Sequence, residues 1–249
     1  MAAKILSHNC QGLGSNEKRI DVFNYLKTKC CQVYCLQDTH FIKKTEKFIR
    51  AQWGYDCLFS SGTSNSRGVA ILFYKDIDFT VHGHKSCPEG NYIVADLTVE
   101  GNRITLINSY GPNSDSPDFF DNLFSIAMSF KNDKIIWCGD FNVVQDPILD
   151  CCNYIHMNNK KAHEKILLIK DSHSLLDPFR EHNPLLRRYT WRKKNPVKQA
   201  RLDYFLISEN LLASINTCIV DASYRSDHSM IVLELQFVQF ITGKTFMET

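Results

Sequence analysis

The sequence predicts an α/β fold in which two mixed β-sheets pack together with helices on the outside. Three observations lead there. Runs rich in branched and aromatic residues, such as VAILFYK at 69–75 and MIVLELQF at 230–237, recur along the chain and read as strands. Segments of helical period stand between them. Hairpin signals interrupt the alternation, so one doubly wound parallel sheet accounts for it poorly and two mixed sheets account for it better.

In chain order, residues 4–9 read as a first strand. At 15–29, Ile20, Phe23 and Leu26 fall on one helical face behind Ser15, whose hydroxyl suits a helix N-cap. Residues 32–37, 69–75, 93–99 and 103–110 are strand-like, and Glu100-Gly101-Asn102 reads as a hairpin turn between the last two. Ser116 and Pro117 mark an N-cap and first helical position, because proline lacks an N–H that the first turn leaves unbonded anyway. Phe119, Phe120, Leu123 and Phe124 follow on that helix. A strand at 134–138 comes next, then a helix at 159–172 carrying Ile166, Leu167 and Ile169. A strand at 201–208, a short helix at 209–215 and a strand at 230–237 complete the pattern. Beyond Phe237 it is lost, which gives one domain over 1–237 and a tail, or the start of a linker, at 238–249.

Size and composition narrow the class. A chain of 249 residues buries roughly three quarters of its unfolded surface and needs no disulfide staples. With 44% hydrophobic and 22% charged residues it reads as an ordinary globular protein. No apolar run approaches the ~18 residues of a membrane span. The opening MAAKILSHNC enters a strand pattern without a signal-peptide core, which argues against secretion. The ten cysteines do not fall at zinc-finger spacing, and Cys35, Cys138 and Cys218 sit in apolar runs, so a reduced intracellular compartment is expected. Net charge is only +2, but RRYTWRKKNPVKQAR, from Arg187 to Arg201, holds seven Lys or Arg and no acid. Such runs are usually solvated loops. Tyr189 and Trp191 inside this one tilt the reading towards nucleic acid.

The more informative pattern is where strands end. VYCLQ runs into Asp38-Thr39-His40, and IIWC into Gly139-Asp140-Phe141-Asn142. ITLIN runs into Ser109-Tyr110-Gly111-Pro112-Asn113, and KILSH into Asn9-Cys10-Gln11-Gly12. Ser226-Asp227-His228-Ser229 precedes the last strand. Each alone has an ordinary explanation as a turn or a surface end. Asp203 is harder to dismiss, because a carboxylate inside an apolar strand is costly to bury without a partner, and an imidazole is the natural one. Together these ends describe a site built from loops on a rigid sheet scaffold. Carboxylates and amides without a Cys/His cage favour a hard cation, Mg²⁺ or Mn²⁺. Cation, carboxylate base and supported imidazole suit hydrolysis of a phosphate ester.

The motifs NCQGL, LQDTH, RGVAIL, NSYGPN, GDFN, RLDYFLIS and SDH, in that order, resemble the exonuclease–endonuclease–phosphatase family over nearly the whole chain. YTWR followed by QARLDYFLIS is most similar to the apurinic-like endonuclease domain of non-LTR (LINE-type) retrotransposons. The resemblance implies a four-layer α/β sandwich with its site at one end of the sheets. It implies an Mg²⁺-dependent endonuclease that nicks one strand of double-stranded DNA and leaves a 3′-hydroxyl to prime reverse transcription. It also implies fusion to a reverse transcriptase, synthesis in the cytoplasm and action in the nucleus. Under it Asp38 is the metal ligand, where most of the family has Glu, with Asn9 ordering the metal site and Asp227 near the metal. Tyr110 faces the scissile phosphate, Asp140 orients or deprotonates water beside Asn142, and Asp203 and His228 form a dyad. Thr190 and Ser226 would touch the DNA backbone, and Arg192, Lys193, Lys194 and Lys198 would belong to a projecting DNA-reading hairpin. A repair-type abasic-site endonuclease is the alternative within the family. A small-molecule phosphatase suits the basic aromatic run less well, and a DNA-binding module weakened in catalysis would bind duplex without nicking it.

Overall fold

A computed structural model describes residues 2–75, 78–153 and 159–237; the expected tail at 238–249 lies outside them. The first half runs β1 (Ala2–Asn9), α1 (Asn16–Thr28), β2 (Val33–Gln37), α2 (Glu46–Trp53), β3 (Cys57–Ser60), β4 (Val69–Phe73) and β5 (Phe79–Ser86). Then come β6 (Tyr92–Val99), β7 (Asn102–Tyr110), α3 (Pro117–Met128), β8 (Ile135–Asp140), β9 (Cys151–Cys152) and α4 (Lys160–Ser172). The chain continues through β10 (Leu175–Leu176), α5 (Pro178–His182), β11 (Trp191–Lys193) and β12 (Lys198–Ala200). It closes with β13 (Asp203–Ser208), β14 (Ile215–Val220) and β15 (Ile231–Gln236).

Two six-stranded sheets form, in the orders β14-β15-β1-β2-β4-β3 and β10-β13-β8-β7-β6-β5. Both are mixed, because β1 pairs β2 and β7 pairs β8 in parallel while their other neighbours are antiparallel. Alternation along each strand sorts its side chains between two apolar layers. Ile5, Val33 and Ile71 meet Ile93, Leu106 and Phe205 between the sheets. On the opposite face of the first sheet, Leu6, Tyr34 and Leu72 pack on Phe23 and Leu26 of α1 and Trp53 of α2. Ile107, Trp137 and Leu206 of the second sheet pack on Phe120 and Leu123 of α3 and Ile166 of α4. The result is the expected four-layer α/β sandwich. It explains why VYCLQ is buried throughout, since a central strand is covered on both faces.

A polar seam crosses the inter-sheet layer. Gln37 Nε2 on β2 donates to Asn108 Oδ1 on β7 at 2.7 Å and to Ser7 Oγ at 2.9 Å. Asn108 Nδ2 donates back across the gap to the carbonyls of Leu36 and Ala70. These hydrogen bonds replace those that the two amide NH2 groups and Asn108 Oδ1 lose to water, while Gln37 Oε1 has no partner among the described residues.

Several local readings need correction. On α1, Arg19 rather than Ile20 is buried; its guanidinium bonds Leu13 O and Gln52 Oε1, while Ile20 stays exposed. Ser15 caps α1 as expected, but Ser116 makes no side-chain cap on α3. On α4, Leu167 remains partly exposed. Residues 209–214 form a 3₁₀ turn instead of an α-helix. The sequence pattern passed over β5, whose TVHGHKS stretch lies at a sheet edge with alternate residues in solvent, and α2, which buries only Ile49 and Trp53.

Candidate active site

The parallel pairs β1/β2 and β7/β8 finish at the same edge of the sandwich, while β13 and β15 run antiparallel to their neighbours and begin there. This topology alone delivers Asn9, Asp38, Tyr110, Asp140, Asp203 and the segment before β15 to one end. The cleft between them, about 270 Å³, is lined by Asn9, Asp38, Tyr110, Asp140, Asn142, Asp227 and His228, joined by Gln11, Asn113, Trp191 and Leu202. Gln11 and Asn113 lie inside the strand-end motifs, but nothing in their spacing singled them out. Non-glycine residues with positive φ gather at this end: Gln11, Asp38, His40, Arg67 and Asn142. That conformation is uncommon for such residues and marks backbone bent to aim groups. Gly139 enables the turn into Asp140: at φ 143° a side chain there would run into the Ser109 carbonyl on β7.

Asp203 and Asp140 are register partners on β13 and β8, and both are buried. His228 Nδ1 lies 2.8 Å from Asp203 Oδ2, and its Nε2 lies 3.8 Å from Asp140 Oδ2. Burial disfavours the imidazolium, but the Asp203 and Asp140 carboxylates outweigh it and raise His228 to about 10. Burial and the Asp203 charge push Asp140 the other way from a surface carboxylate, up to about 7. Asn9 Nδ2 and the Asn142 N–H hold its two oxygens, at 2.8 and 2.9 Å. Tyr110 is raised by burial and by the surrounding carboxylates, so its hydroxyl remains a donor.

Three carboxylates and no Lys or Arg line the cleft. A hard divalent cation fits that donor set, which otherwise concentrates negative charge. Among the described residues, the one close acid–imidazole cluster, with ligand atoms within 4.8 Å, is Asp140, Asp203 and His228, and Asp38 stands outside it. Asp38 Oδ1 is instead held by the Arg67 N–H and by His40 Nε2, each at 3.1 Å. The short arm is therefore fixed by its neighbours through one oxygen, and among the described residues Oδ2 accepts no hydrogen bond.

The basic run divides into two parts. β11 and β12 form the expected hairpin, with Lys193 opposite Lys198, and β9 adds a third strand. Lys193 and Lys194 are exposed and Lys198 is partly so. Arg201 does not belong to that solvated face. It is buried, bonded to both oxygens of Asp150, and 2.7 Å from Asp177 Oδ2 in an ion pair whose geometry is not that of an aligned hydrogen bond. Arg192 turns inward to Ser229 Oγ and Tyr189 O.

One expected DNA contact needs correction. Thr190 is fully buried, and its hydroxyl accepts from the Leu202 and Asp203 N–H groups at 3.0 Å, so it places Asp203 and faces no ligand. Ser226 is half-buried; its hydroxyl donates to Asn9 O and accepts from the His228 N–H, tying the first and last motifs together. The hairpin is in turn clipped to the His228 segment. Ser229 N–H donates to Thr190 O, Arg192 N–H to Asp227 O, and the Trp191 indole to Asp227 Oδ2. Position in sequence could not reveal these links, because they join groups far apart along the chain.

Known proteins share both the sequence pattern and the fold. The model of the Endonuclease/Exonuclease/phosphatase family matches residues 6–228. The chain is 26% identical over 241 residues to the Transposon TX1 uncharacterized 149 kDa protein of Xenopus laevis, matching 94% of this chain and 18% of that one. It thus spans under a fifth of that relative's length. It is 24% identical to an exodeoxyribonuclease of Bacillus subtilis, over 92% of this chain and 98% of that one. Its fold matches the crystal structure of an AP endonuclease from Leishmania major with a TM-score of 0.78, at 17% identity, over 95% of this chain and 88% of the other.

Proposed function

Since the chain belongs to the Endonuclease/Exonuclease/phosphatase family, we propose that it is an Mg²⁺-dependent DNA endonuclease that nicks one strand of double-stranded DNA. The observation that carries this reading is the buried Asp203–His228–Asp140 arrangement at the floor of a carboxylate-lined cleft with an exposed basic hairpin beside it. Likeness to a transposon protein supports placing the reaction in a mobile element; fusion to a reverse transcriptase and action in the nucleus are further parts of the proposal.

The reaction is hydrolysis of a phosphodiester. Water adds to phosphorus, the bond to the 3′-oxygen breaks, and the products are a 5′-phosphate and a 3′-hydroxyl able to prime synthesis. Asp38, with Asn9 and Asp227 nearby, would hold Mg²⁺ or Mn²⁺, which supplies charge stabilisation at phosphoryl oxygens. Asp140, deprotonated, takes the proton of the attacking water; Asn9 and Asn142 keep its oxygens aimed. His228 stays an imidazolium through Asp203 and donates from Nε2 to the charge that grows on the phosphate. Tyr110 contributes a second donor, a neutral one.

Mapping nick positions on supercoiled plasmid, with and without abasic sites, tests the reading. Intact DNA should be nicked, chelation should stop it, and a polymerase should extend the nicks. Much faster cutting at abasic sites would favour a repair endonuclease. Binding without any nicking would leave a DNA-binding module.

A further inference from the structure

A second cleft, of about 370 Å³, adjoins the catalytic one and shares Tyr110 and Asn113 with it. Its remaining lining is Ser66, Arg67, Asn91, Gly111, Pro112 and Ser114. The two differ in charge. The catalytic cleft carries three carboxylates and no Lys or Arg, whereas this one carries a single arginine and no carboxylate. The first attracts a cation, and the second suits an anion.

Arg67 joins the two. Its side chain is exposed and forms no ion pair among the described residues; Glu89 acts on it only through longer-range attraction. Its backbone does different work, since its N–H donates to Asp38 Oδ1 at 3.1 Å and its carbonyl accepts from the His40 N–H at 2.8 Å. The next residue, Gly68, accepts from Thr39 N–H, and a side chain there would meet Thr39 Oγ1 at 2.6 Å. The 66–68 loop is thus pressed onto the 38–40 loop, so the guanidinium is displayed from the backbone that fixes the Asp38 carboxylate.

We propose that this neighbouring cleft is a subsite for the phosphate of a nucleotide flanking the scissile bond, with Arg67 as its cation. The inference rests on the nuclease reading and deepens it. A guanidinium is matched to phosphate in charge and donor geometry, and contacts of this kind set the register of a strand without reading its sequence. Register matters here because the scissile phosphate must reach Asp140 and His228 while its neighbour is held one cleft away.

The test is a set of short labelled duplexes in which one phosphate at a time is replaced by an uncharged methylphosphonate. Binding is read by fluorescence anisotropy without metal, and nicking is read separately with Mg²⁺. Arg67→Ala should weaken binding roughly tenfold, the scale of removing one charged hydrogen bond at a partly solvated site. The wild-type protein should lose about as much from a methylphosphonate at one flanking position, and Arg67→Ala should lose nothing further there. Arg67→Lys should keep that sensitivity. Additive losses at every position, or unchanged binding by Arg67→Ala, would overturn the subsite. If the coupling appears in binding but no duplex is nicked, the nuclease reading fails alone. Absence of both binding and nicking overturns both.

Discussion

His228 and Asp140 titrate as neighbours beside the Asp203 charge, so a change at one should be read at the other. His228 acts on charge that grows in the transition state, so His228→Ala should cut nicking by orders of magnitude and leave duplex affinity nearly unchanged. Wild-type rates in that variant would end the assignment. The pH profile gives a finer check. Activity needs Asp140 deprotonated and His228 protonated, so it should rise with pH through the raised Asp140 value and fall only towards the raised His228 value. Asp203 raises both, so Asp203→Asn should move both limbs of the kcat/KM profile to lower pH. Movement of one limb alone would argue against a shared cause. At the metal, Asp38→Ala should abolish cation-dependent nicking, while Asp38→Glu should keep activity with a changed Mg²⁺ or Mn²⁺ optimum. Titrating each cation against cleavage decides it, and an unaffected Asp38→Ala enzyme would remove the ligand role.

At the scale of the element, the β11–β12 hairpin has an anchored base and a solvated tip. The base is held by β9, by the buried Arg201 among Asp150 and Asp177, and by the clips to residues 227–229. The tip offers Lys193, Lys194 and Lys198. Replacing the three lysines together should weaken duplex binding. Its log–log salt slope should fall by up to about 0.9 for each phosphate that is no longer neutralised. Exchanging the tip should redistribute nick positions with the cation requirement unchanged, because a hairpin at a groove reads width and deformability as well as charge. An identical nick map on one plasmid would reduce the tip to a solvated loop.

Across the whole molecule, the two sheets are joined near the site by the Gln37–Asn108 seam. Asn108→Ala takes from the Gln37 amide its partner on β7 and leaves the Leu36 and Ala70 carbonyls without their side-chain donor in a dry interior. It should lower stability by about 2 kcal/mol, seen as a lower urea midpoint at unchanged m-value. Asn108→Asp should cost more, since it places an unpaired charge there. Equal midpoints for wild type and Asn108→Ala would mean the seam adds nothing to sheet packing.

By itself the sequence determined the layers and the address of the site. Strand and helix periods are local, and burial on both faces makes central strands such as VYCLQ and IIWC conspicuous, so the two-sheet sandwich and its polar strand ends are legible in the chain alone. Edge elements escaped, because β5 is half in solvent and α2 buries too little for its period to show. The cost of burying Asp203 even called for a partner of the right kind. Only tertiary structure decided how the pieces engage. It turned Arg201 inward from a run that reads as solvated, buried Thr190 as a prop for Asp203 rather than a contact for DNA, and tied Ser226 to Asn9 and His228. It also set Arg67 behind Asp38. The physical reason is range. Backbone propensity and apolar period act within a few residues. Hydrogen bonds and ion pairs between groups dozens to hundreds of positions apart depend on where the sheets bring them, and composition does not record that.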